Sequence, residues 1–183
     1  AYTTINKSTD YFNTKLYTGN DSTQAITGVG FQPDLWWNKS RSGTHSAGVH
    51  CWFDSVRGVT KRIKSDSPDA EATISGVTAF DSDGVTLGSE NQSNGGSTNY
   101  AAWNWKAGGG SGGSLNQDGS IDSQVSVNST SKFSVVTYTG AGGNVTIGHG
   151  LGVVPKIIII KRLDSSNGWI MYNEVLGHSK YMI

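Results

Sequence analysis

Residues able to do acid–base or nucleophilic chemistry are few in this sequence, and their spacing does not suggest a reaction. Only three glutamates occur, Glu71, Glu90 and Glu174. A glycosidase needs two carboxylates facing each other across a sugar, one of them with a raised pKa. No strand-borne pair of the Glu-x-Asp-x-Glu kind is present. Asp81 and Asp83 are close in sequence, but Asp-Ser-Asp-Gly reads as a turn, with a weak calcium site as the minor alternative. The spacing of an EF-hand does not follow them, with no Asp or Asn at the fifth position and no Glu at the twelfth. His45, His50, His149 and His178 are scattered, none in His-x-x-x-His spacing, so no metal site is expected. His149 lies in Gly148-His149-Gly150-Leu151-Gly152, which leads into a strand and not a helix. That context excludes a phosphate-binding loop and leaves His149 as a turn residue. No Gly-x-Ser-x-Gly elbow exists, and Cys51 has no recognisable His partner. The expectation is no catalytic residue and no cofactor.

The six tryptophans are the most informative aromatic set. Trp103 and Trp105 flank Asn104 and therefore share one face of a strand, whereas the adjacent Trp36 and Trp37 must point to opposite faces. An exposed indole of that pair could stack on a sugar ring. Trp36, Trp37, Trp103 and Trp105 are accordingly the candidate glycan-contacting residues. The plainer reading is that they cover the two sides of a sheet.

What must position these side chains is suggested by composition. Gly is frequent (25 residues), Pro scarce (3), and only 15% of the 183 residues are charged. Long surface helices draw on Glu, Lys, Arg and Ala; this chain instead favours short strands joined by Gly, Asn and Ser turns. The formal net charge is zero and no basic run occurs, which argues against nucleic acid or an anionic membrane as a partner. No apolar segment approaches the ~20 residues of a membrane span, and no signal peptide is visible ahead of Ala1. With one cysteine, Cys51, no intrachain disulfide can form; within Val49-His50-Cys51-Trp52-Phe53 it reads as a small buried hydrophobe. Six Asn-x-Ser/Thr sequons, at Asn6, Asn20, Asn38, Asn91, Asn128 and Asn144, are what so much Asn, Ser and Thr produces by composition.

The chain also repeats itself. Tyr17-Thr18-Gly19 recurs as Tyr138-Thr139-Gly140, and Gly28-x-Gly30-Phe31-x-Pro33 as Gly150-x-Gly152-Val153-x-Pro155. Leu35-Trp36-Trp37-x-Lys39 becomes Ile157-Ile158-Ile159-x-Lys161, and Phe53-Asp54-Ser55-Val56-Arg57-Gly58 becomes Tyr172-Asn173-Glu174-Val175-Leu176-Gly177. Order is kept while the offset drifts slightly, as in a duplication with loop insertions and deletions. The expected organisation is a first unit at 1–106, a flexible Gly/Ser-rich linker at 107–117 and a second unit at 118–183. The second unit is expected to be incomplete, since Ile183 aligns with Lys64 and nothing corresponds to 65–106.

Strands are expected at 13–18, 35–39, 48–53, 85–88 and 100–106, then at 133–139, 156–161 and 169–172. Asp54 to Lys64 is the one stretch suited to a short helical turn, and 65–69 reads as loop. Alternation over 132–138 suggests one wet face. The unbroken run Ile157 to Ile160 suggests a strand buried on both faces. Turns are expected at Ser82-Asp83-Gly84 and Gln117-Asp118-Gly119. The fold class that fits is all-β, an antiparallel β-sandwich. A half unit with so apolar a strand leaves a sheet edge needing cover, so another subunit or a further segment is expected to supply it.

Taken together, Tyr17-Thr18-Gly19-Asn20, Phe31-Gln32-Pro33-Asp34-Leu35-Trp36, Phe53-Asp54-Ser55-Val56-Arg57-Gly58, Phe80-Asp81-Ser82-Asp83-Gly84 and Ala102-Trp103-Asn104-Trp105-Lys106-Ala107-Gly108 resemble a repeat module of virion proteins of marine bacteriophages. Gly148-His149-Gly150-Leu151-Gly152-Val153-Val154-Pro155-Lys156 extends the resemblance over nearly the whole chain. It implies a concanavalin-A-like (jelly-roll, lectin-like) sandwich in a phage structural protein. The expected role is a non-enzymatic tail fibre, capsid fibre or surface decoration on the virion surface, homo-oligomeric, packed against other virion subunits and adhering to host-surface carbohydrate. A glycan-cleaving depolymerase on the same sandwich, or a purely architectural subunit without ligand affinity, are the alternatives. The resemblance carries over no catalytic or binding residue.

Overall fold

The computed structural model describes residues 5–45, 48–177, 180 and 182. The expected start of the first unit at Ala1, and His178 and Ile183, lie outside the described residues. After a short 3-10 turn at Ser8–Asp10 come β1 (Phe12–Thr18), β2 (Gln24–Ile26), β3 (Leu35–Ser42), β4 (His50–Asp54), β5 (Lys61–Lys64), β6 (Ala72–Thr73), β7 (Val77–Asp81) and β8 (Gly84–Leu87). A single helical turn, α1 (Asn91–Asn94), leads into β9 (Asn99–Trp105). The chain continues through β10 (Ser114–Asn116), β11 (Ser123–Asn128), β12 (Phe133–Tyr138), β13 (Ile157–Ile160) and β14 (Ile170–Asn173), with a second 3-10 turn at Glu174–Leu176.

Strands β1-β9-β3-β4-β5-β6 form a six-stranded sheet, and β2-β8-β7 a three-stranded one. All pairings between named strands are antiparallel. The two sheets share one core, built from Ile26 on β2, Trp36 on β3, Cys51 and Phe53 on β4, Val77 on β7, Val85 and Leu87 on β8 and Ala102 on β9. Alternation along each strand sends these residues inward and their neighbours outward, which is the pattern of a β-sandwich. The β7–β8 hairpin closes tightly: Asp81 pairs with Gly84 across Ser82 and Asp83, the turn expected there. Gly84 has φ +144°, and a Cβ at this position would lie 1.9 Å from the Ile26 carbonyl oxygen, so only glycine fits.

Residues 108–183 contribute a three-stranded sheet β10-β11-β12 and a two-stranded hairpin β13-β14. The hairpin register sets Ile157 opposite Asn173, Ile158 opposite Tyr172, Ile159 opposite Met171 and Ile160 opposite Ile170. The β3–β4 pairing sets Leu35 opposite Asp54, Trp36 opposite Phe53, Trp37 opposite Trp52 and Asn38 opposite Cys51. Position for position, these are the same pairs under the sequence correspondence. The amide of Ser55 donates to the Asp34 carbonyl at 2.9 Å, and that of Glu174 to the Lys156 carbonyl at 2.9 Å. Gly28 and Gly30 (φ +77° and +89°) are matched by Gly150 and Gly152 (+69° and +66°).

Several expectations are corrected. The run Ile157 to Ile160 is not buried on both faces: it belongs to a two-stranded hairpin, and every residue in it is exposed. Hydrophobicity signals a need for cover, and among the described residues neither a second strand edge nor an opposing sheet meets it. The stretch 54–64 is only partly turn-like, since Ser55–Arg57 is a turn but Lys61–Lys64 pairs with β4 and β6 as a strand. The Gly-rich stretch at 107–117 is not a free tether: Ser114–Asn116 pairs with β11, and Gly112 N–H donates to the Ser55 carbonyl at 2.8 Å. On β12, Phe133 to Thr137 are half-buried without a clean wet face.

Candidate functional site

The outer face of the six-stranded sheet, opposite the core, gathers four of the six tryptophans, Trp37, Trp52, Trp103 and Trp105. Trp37 faces Trp52 across β3–β4 and Trp103 across β3–β9, so three indoles form one cross-strand row. Ring centroids are 5.2 Å apart for Trp37–Trp52 and 5.0 Å for Trp37–Trp103, both tilted. Trp105 lies in the next row, 6.3 Å from Trp37 in a stacked arrangement and 4.9 Å from Phe12 on β1. Tilted and offset pairs of this kind suit the ring quadrupoles and add to simple burial.

The row is not open along its whole length. Phe133 on β12 stacks on Trp105 at 6.3 Å, and Trp169, just before β14, sits 5.1 Å from Trp52. The Trp169 indole N–H donates to the Lys64 carbonyl at 2.8 Å. Trp169 therefore caps the Trp52 end of the tryptophan row and Phe133 covers Trp105 in the adjacent row, and all these indoles are half-buried. Trp52 Nε1 is buried without a hydrogen-bond partner.

Of the four candidate tryptophans, Trp37, Trp103 and Trp105 share this face, as the parity of Trp103 and Trp105 requires. Trp36 does not. It is fully enclosed in the core, its indole N–H donating to Asn38 Oδ1 at 3.2 Å, and so has no ring face for a sugar. Asn38 is equally enclosed, which removes its sequon from any glycosylated surface.

His50 borders the row. Its Nδ1 accepts from Trp37 Nε1 at 3.0 Å, and partial burial together with Lys39 lowers its pKa from the usual histidine value. Cys51, on the opposite face, is buried, and burial pushes its thiol up to about 11, so it behaves as the inert hydrophobe expected.

Asp54, Glu71, Asp81 and Asp83 are committed to structure. Arg57, almost enclosed, pairs with Asp54 at 2.5 Å and with Glu71 at 3.0 Å. Asp83 accepts from the amides of Gly28 at 2.9 Å and Gly30 at 2.6 Å, which hold its carboxyl below the usual range, and Asp81 accepts from Thr86 Oγ1 at 2.8 Å. Both serve the turn. Among the described residues, no group of three or more His, Cys, Asp or Glu is placed to hold a metal ion. His149 acts as a turn residue, accepting the Leu151 amide on Nδ1 at 3.1 Å.

Asp34, to which the sequence reading assigned no role, is the most heavily engaged polar group at the junction. Fully buried, it accepts from Ser55 Oγ and Ser126 Oγ at 2.7 Å each, from Ala107 N at 2.7 Å and from Gly109 N at 3.1 Å. It ties the start of β3, the turn after β4, the Gly-rich stretch and β11 together. No local sequence signal marks it; the residue aligned with it in the sequence comparison is Lys156. Beside it runs a shallow groove of about 430 Å³, lined by Gly108, Gly110, Ser111, Asn116, Val127 and Gly150 among others and by no charged side chain.

These features define an all-β module of sandwich type, its outer aromatic face shared with a smaller following unit. A family model described as a domain of unknown function (DUF7483) matches residues 7–183, and the chain belongs to that family. No curated protein and no solved structure matches it.

Proposed function

We propose that this chain is a non-enzymatic structural module, built from a duplicated jelly-roll-like β unit, that works by packing into a larger assembly. The observation that carries the reading is the exposure of Ile157 to Ile160: four consecutive isoleucines, 38–56% exposed, on a hairpin covered by nothing in the described chain. Contiguous apolar surface of this kind marks an interaction site. The shared hairpin register and the matched left-handed glycines support the duplication. The capping of the tryptophan row from within the chain supports an architectural use of those rings, and the engagement of Asp54 and Glu71 by Arg57 disfavours a glycan-cleaving pair.

The resemblance to virion modules of marine bacteriophages supports the setting: a tail fibre, capsid fibre or decoration protein on a virion surface, present in several copies. Imaging of intact particles with the module labelled tests this. Trimeric packing along a shaft indicates a fibre and regular occupancy of a lattice indicates decoration, whereas particles lacking the label would sink the proposal.

Adhesion to host-surface glycan is a second reading, favoured by the half-buried indoles of Trp37, Trp103 and Trp105 on one face. Glycan-array binding that disappears in Trp37→Ala, with folding intact, supports it; an array with no bound sugar leaves the purely architectural role. Release of oligosaccharide from host polysaccharide, lost in Glu71→Gln, would instead restore the depolymerase.

A further inference from the structure

In the first sandwich β3 is hydrogen-bonded on both edges, to β4 on one side and β9 on the other. The β9 side sets Trp105 opposite Leu35, Asn104 opposite Trp36, Trp103 opposite Trp37 and Ala102 opposite Asn38. In the following unit, the strand in the position of β3 is β13, and among the described residues it is paired with β14 alone. β12, in the position of β1, likewise ends its sheet. The consequence shows in exposure. Phe31, Leu35 and Trp36 are 4%, 8% and 0% exposed; their counterparts Val153, Ile157 and Ile158 are 47%, 56% and 39%. The same backbone arrangement is closed in one unit and open in the other.

We infer that the free edge of β13 is an acceptor site for one further antiparallel strand, supplied by a polypeptide segment with the side-chain alternation of β9. Such a segment places aromatic residues opposite Ile157 and Ile159, and amide or small residues opposite Ile158 and Ile160. Backbone pairing along an exposed edge provides affinity, and the alternating side chains set register. A second copy of the described residues is a poor donor, because its own β9 is held on both edges within its sheet. Edge-to-edge pairing of two β13 strands would satisfy the backbone but set isoleucine against isoleucine, without the aromatic row that covers Leu35 and Trp37.

This inference rests on the assembly reading above, and the two fail separately. Strand acceptance by a chain that enters no particle would sink the assembly reading alone, and particle incorporation without strand acceptance would sink this one. The probe is an end-blocked, fluorescein-labelled peptide with the sequence of residues 99–106, titrated into the full chain while the amide exchange of Ile157 to Ile160 is followed. A peptide of the same composition, shuffled so that the aromatics no longer alternate, is the control. The expected result is saturable binding that slows exchange at the Ile157 and Ile159 amides, which point to the free edge, with the shuffled peptide much weaker. Ile157→Lys with Ile159→Lys, both exposed and so compatible with folding, is expected to weaken binding roughly a hundredfold. An unchanged thermal transition of the variant establishes that the fold is intact. The inference is overturned by no binding, by equal binding of the shuffled peptide, or by binding indifferent to the double substitution. Amides already protected in a dimer of the chain alone, with β13 at its interface, would also overturn it.

Discussion

The hydroxyl of Ser126, on β11, donates to Asp34 Oδ1 at 2.7 Å, so that a strand outside the six-stranded sheet ends on a buried carboxylate at the threshold of β3. Asp34 also accepts from Ser55, Ala107 and Gly109. Removing the acceptor leaves buried donors without partners, which costs more than the bonds themselves contributed. Asp34→Ala is predicted to destabilise the chain by about 3–5 kcal/mol and Ser126→Ala by about 1–2 kcal/mol in urea unfolding. A double-mutant cycle is predicted to show a coupling of about 1 kcal/mol or more. Additive losses would mean that the 2.7 Å contact does not join the units energetically.

Trp36 and Trp37 are adjacent yet have different surroundings. Trp36→Ala opens a cavity among Phe53, Leu87 and Ala102 and is predicted to cost about 3–5 kcal/mol. Trp37→Ala removes one half-buried ring from the row and is predicted to cost less, about 1–3 kcal/mol. Equal losses, measured by denaturant midpoint at unchanged slope, would contradict the assignment of inner and outer faces.

The Trp37–His50 contact gives the aromatic face a dependence on acid. Neutral His50 accepts the indole N–H on Nδ1; protonation turns that nitrogen into a donor and breaks the bond. Burial and the nearby Lys39 lower the folded pKa from the ordinary histidine value. Its contribution to stability is therefore complete above the unfolded value and is lost as pH falls through the lower, folded one. Tryptophan emission is predicted to shift on acidification in the wild type, and Trp37→Phe to lose that component of the shift. An identical acid titration in the variant would refute the coupling.

Cys51 acts at the other end of the scale. Burial raises its pKa from 9.0 to about 11, so the folded state holds this proton more tightly than the unfolded one. Its contribution is intact below pH 9 and declines as pH rises from about 9 to about 11. Cys51→Ala is predicted to flatten the stability–pH curve in that window, and the native thiol to resist alkylation at pH 8 until denaturant is added. Rapid alkylation without denaturant would show the core to be open.

The conspicuous features of this fold were readable where backbone conformation constrains residue type. Gly28, Gly30, Gly150 and Gly152 all have positive φ, a local demand visible as a repeating Gly-x-Gly. Alternation placed Trp103 and Trp105 on one face. It could not tell which of Trp36 and Trp37 faces inward, because that depends on where β2-β8-β7 packs. Short, polar or unremarkable strands were missed: Gln24–Ile26 and Ser114–Asn116 are strands because β8 and β11 pair with them, not through a pattern of their own. Asp34 was missed for the same reason, since its importance lies in four donors brought from distant positions. The Ile157 to Ile160 run is exposed against expectation because apolarity reports a demand for burial and not the presence of the neighbour that meets it.

That demand is the centre of the account. Amide hydrogen exchange at Ile157 and Ile159, whose N–H groups face away from β14, measured in the isolated chain and again in the native assembled particle, tests it most directly. Fast exchange in the isolated chain and strong protection in the particle are predicted, while Trp36 to Asn38 on β3 stay protected in both. Equally fast exchange at Ile157 and Ile159 in both states would contradict the claim that this hairpin is the surface through which the module assembles.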